Sequence, residues 1–592
     1  MADAAGTGQG LGFVRRSCVA LMASALAMKA GLVYAEPTLA PPQDTADAQS
    51  VVAPLSRQDI YRTIFSALRA ANWPEARSRI ATLDREDPVR AVALAELYTA
   101  KSSPRTELFD ILDLMNTASW LPDSAQLARM AKRRGADILP DGPQVQKLMW
   151  LGTAPKRQYT PSIKQDSAAQ ALVAQIQPFI KADTPGAGEA LITPEIESTL
   201  SADGLAEARQ RLAWAYYIGN DDANALRLAG RALQAGSSSD WAVQAHWTIG
   251  LAHWRSNDPS AAAAAFEKVG ALASNDDMRA AGAYWAARAW MNAGQAPKVA
   301  ALLKRAAQRT DTFYGMLARE TLGVEAPQAA INPMRSAAIL DRPAVRAALA
   351  LHEIGENDHA DRLLRHQAAI GTVRDYDALL SLTNTLDLPT TQIWLAQHGP
   401  AGHNGGSFGR FPRPSWAPDG GWRVDPALVF AHALQESGFR ADAVSPAGAR
   451  GLMQVMPGTA RLVAGDAVSA SRLSVPSTNM EYGQRYLEQL RDMKATGGLL
   501  PKVMAAYNAG PAPVERWNTQ VRDNGDPLLF MESLPYYETR AYVNIVMRNY
   551  WMYDLRETGT AEALTAMAQG RWPAFPTLKN GKPVQLSYRI NR

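Results

Sequence analysis

The sequence predicts an all-α protein in which an N-terminal α-solenoid is followed by a small helical domain and an α-rich C-terminal domain. Three observations support this prediction. Apolar residues recur at helical spacing from Ser56 onward, a turn pattern repeats every 37 residues, and glycine and proline interrupt all regular structure at 401–421. With 47% hydrophobic and 20% charged residues among 592, the composition is that of a folded globular protein. It indicates neither a disordered chain nor a bundle of membrane helices.

Residues 1–35 have the pattern of a secretory signal peptide. Arg15 and Arg16 precede an apolar run at 18–28 that is too short to span a bilayer, and small residues end the segment at Ala35. We therefore expect cleavage after Ala35 and export to the periplasm, without stable insertion into a membrane. An uncleaved anchor is the alternative interpretation.

Charge and cysteine content exclude several classes of function. The 61 Lys and Arg residues nearly balance the 57 Asp and Glu residues, and a net charge of +4 gives no reason to expect a nucleic-acid partner. The single cysteine, Cys18, lies in the predicted signal peptide, so the mature protein is expected to contain no thiol. The eight histidines are scattered singly and no phosphate loop or dinucleotide motif is present. We predict no metal and no cofactor.

The solenoid is predicted over residues 56–330, after a flexible leader at 36–55 that is rich in Pro, Ala, Asp and Gln. A spacing of 37 residues is close to that of helix-turn-helix repeats, whose units stack because none can bury its apolar face alone. We expect a curved α-solenoid with a concave surface, and we interpret the tryptophans before each turn as core residues. The turns begin at Gly219, Ser256 and Ala293, and the tryptophans are Trp214, Trp254 and Trp290.

Four segments are predicted after the solenoid. Residues 331–400 contain two or three helices and form a small linker domain, and 401–421 form a Gly- and Pro-rich linker. The C-terminal domain is predicted at 422–555. Residues 556–592 follow as a tail of uncertain structure.

The C-terminal domain begins with a helix that ends at a carboxyl group. Asp425 and Pro426 are helix-start signals, and Gly438 supplies a left-handed stop just beyond Glu436. The apolar face of the helix and the negative end of its dipole both disfavour an ionised carboxylate, so we expect a raised pKa for Glu436. A carboxyl that stays protonated near neutral pH can donate a proton to a leaving oxygen, as in glycosidic bond cleavage. A solvated glutamate at a helix end is the alternative.

A second carboxylate of interest is Glu538. Pro535 indicates a helix start, which places Glu538 in a first helical turn, where the dipole favours the ionised form. Glu436 and Glu538 would make an acid-and-anion pair if the fold brings them together. Alternatively, Glu538 caps the helix or pairs with Arg540. Asp442 and Glu481 have no context that marks them out, and we predict that both are surface charges.

Three sequence blocks follow Glu436-Ser437. They are Ser445-Pro-Ala-Gly-Ala-Arg-Gly451-Leu-Met-Gln454-Val-Met456-Pro-Gly-Thr-Ala460, Ala506-Tyr507-Asn508-Ala509-Gly510, and Glu532-Ser-Leu-Pro535-Tyr-Tyr-Glu538-Thr-Arg540 with Tyr542-Val543 beyond it. In content and in order these blocks resemble the soluble lytic transglycosylases of peptidoglycan.

The resemblance implies a lysozyme-like catalytic domain carried by a ring-like superhelix. It also implies that Glu436 acts first as acid and then as base, and that the substrate's N-acetyl group stabilises the anomeric centre. The product would be a 1,6-anhydroMurNAc end. The residue matching Glu538 would line the site and help to bind sugar, and no second carboxylate would act as nucleophile.

Further substrate contacts are predicted from the same blocks. The hydroxyls of Ser437 and Ser445 would reach the carboxyl or the acetamido group, although each is alternatively a helix or turn cap. Gln454 offers a donor and an acceptor to sugar hydroxyls. Met456 and Tyr507 would form apolar walls. Tyr507 also fits a purely structural helical stripe, but Asn508 beside it matches the family, and we assign both to the site. His432 and Leu434 depart from the residues usual just before the catalytic glutamate.

The predicted function is therefore cleavage of the β-1,4 bond between MurNAc and GlcNAc in peptidoglycan glycan strands. A hydrolytic muramidase is one alternative. A non-catalytic glycan-binding scaffold of the cell-wall machinery is another, because the solenoid is also able to meet cell-wall synthesis proteins. Glu436→Gln separates the scaffold from both enzymes, because the amide cannot deliver a proton.

Overall fold

The computed structural model describes residues 55–325, 337–403, 407–465 and 468–578. The chain from Ser56 onward forms one compact unit. The predicted signal peptide and all but the last residue of the predicted leader lie outside the described residues. Across those residues, none of the helices combines the length and the apolar character that crossing a membrane requires.

The N-terminal helices begin at signals that the sequence carries. Ser56, Asn72 and Asp87 each accept a hydrogen bond from a backbone N–H of the first turn that follows. The five helices are α1 (Arg57–Arg69), α2 (Trp73–Ala81), α3 (Pro88–Thr99), α4 (Leu108–Thr117) and α5 (Ser124–Arg133). A short strand, β1 (Met149–Trp150), follows them.

The middle of the chain is a stack of helices in which, from Ala202 to Leu322, consecutive members pack on one another, as predicted for a solenoid. At the three predicted turns the chain reverses through a left-handed residue, with φ of 65° at Asn220, 61° at Asn257 and 71° at Gly294. The helices are α6 (Ser167–Lys181), α7 (Pro185–Glu189), α8 (Pro194–Glu197), α9 (Ala202–Ile218), α10 (Asp222–Gln234), α11 (Asp240–Arg255), α12 (Pro259–Leu272), α13 (Asp276–Asn292), α14 (Ala296–Ala307) and α15 (Phe313–Leu322).

Close packing within this stack depends on small residues. A Cβ atom on Gly282 would collide with the backbone of Gly270, so α12 and α13 approach more closely than alanine would permit. The three tryptophans pack against the core, as predicted. Two of them also meet the C-terminal part of the chain. The Trp254 indole donates to Asp526 at 3.3 Å, and the Arg540 guanidinium lies 4.4 Å from the Trp214 ring centroid.

Four helices and a strand come next: α16 (Pro343–Glu353), α17 (Asn357–Ile370), α18 (Val373–Thr385), α19 (Pro389–Gln397) and β2 (His398–Gly399). Strand β2 pairs antiparallel with β1. Residues 337–397 share one apolar core with α1–α5, and Phe65 lies 5.0 Å from His359 between ring centroids. The N-terminal helices thus pack on the segment predicted as the linker domain, and the limits 56–330 and 331–400 stay predictions.

A second apolar core joins the solenoid to the C-terminal part of the chain. Phe411, within the predicted Gly- and Pro-rich linker, is buried in this core, and the helix Glu562–Ala568, in the predicted tail, packs against α15. The C-terminal helices are α20 (Pro426–Glu436), α21 (Pro457–Ala464), α22 (Pro476–Asp492), α23 (Leu500–Ala509), α24 (Pro511–Gln520), α25 (Pro527–Glu532), α26 (Tyr537–Thr558) and α27 (Glu562–Ala568).

Candidate active site

Helix α20 delivers Glu436 to the site as the sequence predicts. The Asp425 carboxylate accepts a hydrogen bond from the backbone N–H of Ala427 at 2.9 Å, and Pro426 occupies the first helical position. Nearly the whole helix is buried. It ends at Glu436, and Gly438 takes a left-handed φ of 62°.

Glu436 has the raised pKa that its position predicts. The pKa of Glu436 is raised from the ordinary 4.5 to about 7, mainly by burial; a hydrogen bond from Tyr542 opposes the rise, and the nearby charge of Glu538 adds to it. The Tyr542 hydroxyl donates to Oε1 of Glu436 at 2.6 Å. From the described residues, no hydrogen bond reaches Oε2. At neutral pH a large fraction of the molecules therefore carry a proton on this carboxyl, and one of its oxygens is unoccupied by the residues that the structure describes.

Helix α26 supplies both groups that tune this carboxyl. Glu538 lies in its first turn, as predicted, and Tyr542 lies four residues further on, on the same face. The structure thus brings Glu538 close enough to act on Glu436. Within the described chain no ion pair joins Glu538 to Arg540, which instead donates to the Leu534 carbonyl at 2.7 Å. The contact of Tyr542 with Glu436 was not predicted from the sequence. The spacing of four residues between Glu538 and Tyr542, which puts both on one face of a helix, is the signal that could have indicated it.

Serine side chains form hydrogen bonds with the backbone of the loop between α20 and α21. The Ser437 hydroxyl donates to the Leu452 carbonyl at 2.8 Å and is buried, and the Ser445 hydroxyl accepts from the Ala449 N–H at 3.0 Å. These are the capping roles that the sequence offered as alternatives. Direct contacts of Ser437 and Ser445 with substrate stay predictions.

Gln454 also belongs to this loop. It has a left-handed φ of 48°, and its side-chain amide donates to the carbonyls of Ala443 and Gly451 at 3.2 and 3.0 Å. The loop is clamped from α22 by Asn479, a buried residue without an assigned role in the sequence. Its side chain accepts from the Met453 N–H at 2.8 Å and donates to two carbonyls.

Tyr507 and Asn508, at the end of α23, face the same region. The Tyr507 hydroxyl donates to the Met453 carbonyl at 2.8 Å. Burial is the main cause of the raised pKa of Tyr507, and the negative charge of Glu436 is the second cause. The Asn508 side chain accepts from the Thr539 hydroxyl at 2.6 Å. Met456 is 41% exposed immediately before α21. Tyr507 thus supports the loop and lies near the carboxyl, and Met456 is available to a ligand.

His432 lies one helical turn before Glu436 and is fully buried. Its Nδ1 meets the Leu428 carbonyl at 2.8 Å, and its ring centroid lies 4.8 Å from that of Tyr507. Burial lowers the pKa of His432 to about 4, so the ring is neutral near pH 7. A neutral ring places no positive charge behind Glu436 that would lower the pKa of the carboxyl.

The prediction for one carboxylate is wrong. Asp442 is exposed, as predicted, but Glu481 is only 5% exposed. The Glu481 carboxylate accepts from Arg485 at 2.6 Å and from the Gly420 N–H at 3.2 Å. The Gly420 contact comes from a distant loop and was not visible from the sequence around Glu481. In the described ranges, no cluster of His, Cys, Asp or Glu is arranged to hold a metal ion.

Fold and site together define a helical protein with a buried, proton-retaining carboxyl in its C-terminal part. Residues 417–530 match the family model described as the Transglycosylase SLT domain. The matched residues include Glu436, the loop after it and Tyr507. The predicted boundaries 422–555 overlap this match, but the domain limits themselves stay predictions.

Curated relatives match the same region of the chain. The soluble lytic murein transglycosylase of Salmonella typhimurium is 35% identical over 154 residues, which is 25% of this chain and 23% of the relative. The soluble lytic murein transglycosylase of Escherichia coli K12 is 34% identical over 153 residues, or 24% and 23% of the two chains. The match thus spans about a quarter of the length of these relatives.

Solved structures match over a much greater length. The 70-kDa soluble lytic transglycosylase of Escherichia coli has a TM-score of 0.54 at 17% identity, covering 88% of this chain and 99% of its own. The lytic transglycosylase Slt of Pseudomonas aeruginosa, as an inactive mutant, has a TM-score of 0.52 at 20% identity, covering 87% and 88%. At these identities the likeness shows a shared fold.

Proposed function

We propose that this protein is a lytic transglycosylase that cleaves the β-1,4 bond between MurNAc and GlcNAc in peptidoglycan. The observation that carries the proposal is the Glu436 carboxyl, with a pKa near 7, one oxygen held by Tyr542 and the other unoccupied by the described residues. The SLT match and the named murein transglycosylases supply the substrate class. A structural neighbour in complex with bulgecin A shares the fold over 87% of this chain, with a TM-score of 0.54.

The first step uses the proton on Glu436. The carboxyl donates it to the bridging oxygen, the bond from that oxygen to the anomeric carbon of MurNAc breaks, and GlcNAc leaves with a free 4-hydroxyl. The carbonyl oxygen of the substrate's acetamido group then stabilises the anomeric centre. No protein nucleophile takes part in this step, and Glu538 is proposed to bind and orient sugar.

The second step uses Glu436 as a base. The carboxylate accepts the proton of the C6 hydroxyl while the oxygen of that hydroxyl bonds to the anomeric carbon. This step yields a 1,6-anhydroMurNAc end and regenerates the protonated Glu436. Tyr542 is well placed to stabilise the carboxylate between the two steps, because a hydrogen bond to a charged acceptor is stronger than one to a neutral acceptor. Water must be excluded at this stage, since water at the anomeric carbon would give hydrolysis.

Contacts with substrate are assigned on the same basis. Met456, Gln454 and Tyr507 are proposed to line the sugar site, with Asn508 holding Thr539 on α26. Ser437 and Ser445 are proposed to act mainly by fixing the loop that carries these groups.

We place this activity outside the cytoplasm, in the periplasm, where peptidoglycan lies and to which the pattern of residues 1–35 would direct the chain. Proteins of cell-wall synthesis are proposed partners of the solenoid.

The deciding experiment is digestion of sacculi by the parent protein and by Glu436→Gln. We expect the parent to release muropeptides with anhydro ends, detected by mass spectrometry. The variant should lose at least about a hundredfold in rate, the usual contribution of a general acid, while keeping its fold. Muropeptides carrying only added water would indicate a muramidase. Equal rates for parent and variant would show that Glu436 is not the acid, and release of no muropeptides by the parent would leave only the glycan-binding scaffold.

A further inference from the structure

We propose that the solenoid side of the chain contributes Tyr159 to a second sugar-binding position, where it pairs with Tyr537 beside the site of cleavage. The proposed occupant is a sugar ring of the same glycan strand, outside the disaccharide that is cut. The proposal rests on the function proposed above.

The location follows from helix α26. Tyr537 is its first residue and directly precedes Glu538, whose charge acts on Glu436. The ring of Tyr159 meets the ring of Tyr537 edge to face, with centroids 5.2 Å apart and planes at 88°. The pair therefore lies at the end of α26 that also carries the predicted sugar-binding carboxylate.

Both rings remain accessible. Tyr159 is 55% exposed and Tyr537 is 37% exposed. Single exposed aromatic rings are ordinary at protein surfaces, whereas a paired set of rings offers a continuous apolar surface to a ligand. Aromatic faces stack on the C–H faces of sugar rings, and a glycan is a polymer that has to continue past the cleaved bond.

Tyr159 is also held in place before any ligand arrives. The Arg211 guanidinium donates to the Tyr159 hydroxyl from Nη1 and from Nη2, both at 3.2 Å. Arg211 is itself fixed by Glu207 at 2.8 Å and by the hydroxyl of Ser162 at 3.0 Å. A pre-ordered aromatic ring loses little side-chain entropy when a ligand binds.

The backbone around Tyr159 is anchored on both sides. Two residues earlier, Arg157 forms a buried ion pair with Glu532 at 2.5 Å. Two residues later, the Pro161 carbonyl accepts from the Trp241 indole at 3.1 Å. The segment carrying Tyr159 is therefore fixed to both the solenoid and the C-terminal part, which is what a subsite shared between them requires.

The test measures binding without cleavage, in the Glu436→Gln background. Affinities are determined for peptide-free glycan strands of about twenty sugars and for a tetrasaccharide. The readout is the ratio of the two affinities. We expect Tyr159→Ala to lower this ratio about fivefold, in the range of a single aromatic contact. Tyr159→Phe, which keeps the ring, should stay close to the parent ratio.

Phe109→Ala is the matched control, because Phe109 is 78% exposed on α4, whose neighbours belong to the other core. An unchanged ratio in Tyr159→Ala, or an equal fall in Phe109→Ala, would overturn the subsite. The anhydro products of the parent enzyme are measured separately from the affinity ratio. The proposed function can therefore fail while Tyr159 still affects the affinity ratio, and the subsite can fail while anhydro products are still formed.

Discussion

At the scale of single residues, the site depends on one carboxyl that the fold keeps from ionising. The folded-state pKa of Glu436, about 7, exceeds its ordinary value of 4.5. The native protein therefore binds more protons than the unfolded chain between these two pH values, and the free energy of unfolding falls as pH rises through that window. Keeping this carboxyl protonated in the native state lowers the free energy of unfolding above pH 7 by on the order of 3 kcal/mol.

Glu436→Gln should therefore stabilise the protein at high pH while abolishing its activity. We expect the melting temperature of the variant to exceed that of the parent at pH 8, with the difference closing as the pH falls below about 4, where the parent carboxyl is protonated in both states. Asp442→Asn, at an exposed position, is the control and should show no such trend. A difference between parent and Glu436→Gln that is constant from pH 5 to pH 8 would contradict the assigned pKa.

Two further substitutions should move the pH–rate profile in opposite directions. Tyr542→Phe removes the hydrogen bond that favours the ionised carboxylate, so the alkaline limb of kcat/KM should shift to higher pH. The variant should also lose about tenfold in kcat, because the Glu436 carboxylate formed between the two steps is no longer stabilised by this hydrogen bond. Glu538→Gln removes a neighbouring negative charge, so the limb should shift to lower pH. Shifts of the same sign would show that neither group acts on Glu436 directly.

At the scale of helices and loops, the sequence was most informative where the signal is local. The start of α20 at Asp425 and Pro426, its stop at Gly438 and the 37-residue turns all depend on residues within a few positions of one another. Contacts between distant segments were missed, as with the amide of Gly420 on Glu481. The contact of Asn479 with the loop after Glu436 was missed for the same reason, because its two partners in that loop, Met453 and Arg450, lie 26 and 29 residues away in sequence.

That loop offers a matched pair of glycines for testing how tightly it is held. Gly448 and Gly451 both have left-handed φ, 89° and 73°, so alanine is strained at either position. At Gly448 the added Cβ meets open space, whereas at Gly451 it would collide with the Leu473 carbonyl and the Asn479 amide. We expect Gly448→Ala to cost about 1 kcal/mol and Gly451→Ala more than about 3 kcal/mol in urea denaturation. Gly451→Ala should also lose activity. Equal costs would mean that the clamp is not tight.

At the scale of the whole molecule, the C-terminal part is attached to the solenoid by buried charges. Glu532 is fully buried, and its carboxylate accepts from Arg157 at 2.5 Å and from the Tyr314 hydroxyl at 2.6 Å. Burial raises the pKa of Asp277, which lies 3.5 Å from the same guanidinium, while Arg157 opposes that rise. Local sequence patterns could not predict this network, because Glu532 lies 375 residues from Arg157 and 218 residues from Tyr314.

Removing one member of this network should be more harmful than removing two. Arg157→Met leaves buried carboxylates without their cation and should cost about 3–5 kcal/mol in chemical denaturation. Glu532→Gln should cost less, and adding it to Arg157→Met should recover part of the loss, because one uncompensated charge is then gone. Additive costs in the double variant would show that the two side chains are not coupled.

The shared core of α1–α5 and α16–α19 has a consequence for how the chain reaches this structure. Roughly 200 residues separate Arg133 from Pro343, so the first helices remain without half of their packing partners until most of the polypeptide has been delivered. During that interval, apolar faces such as the one around Phe65 stay uncovered, and closing so long a loop is slow. Productive assembly of this protein should therefore compete with aggregation, and its yield on refolding should fall as concentration rises.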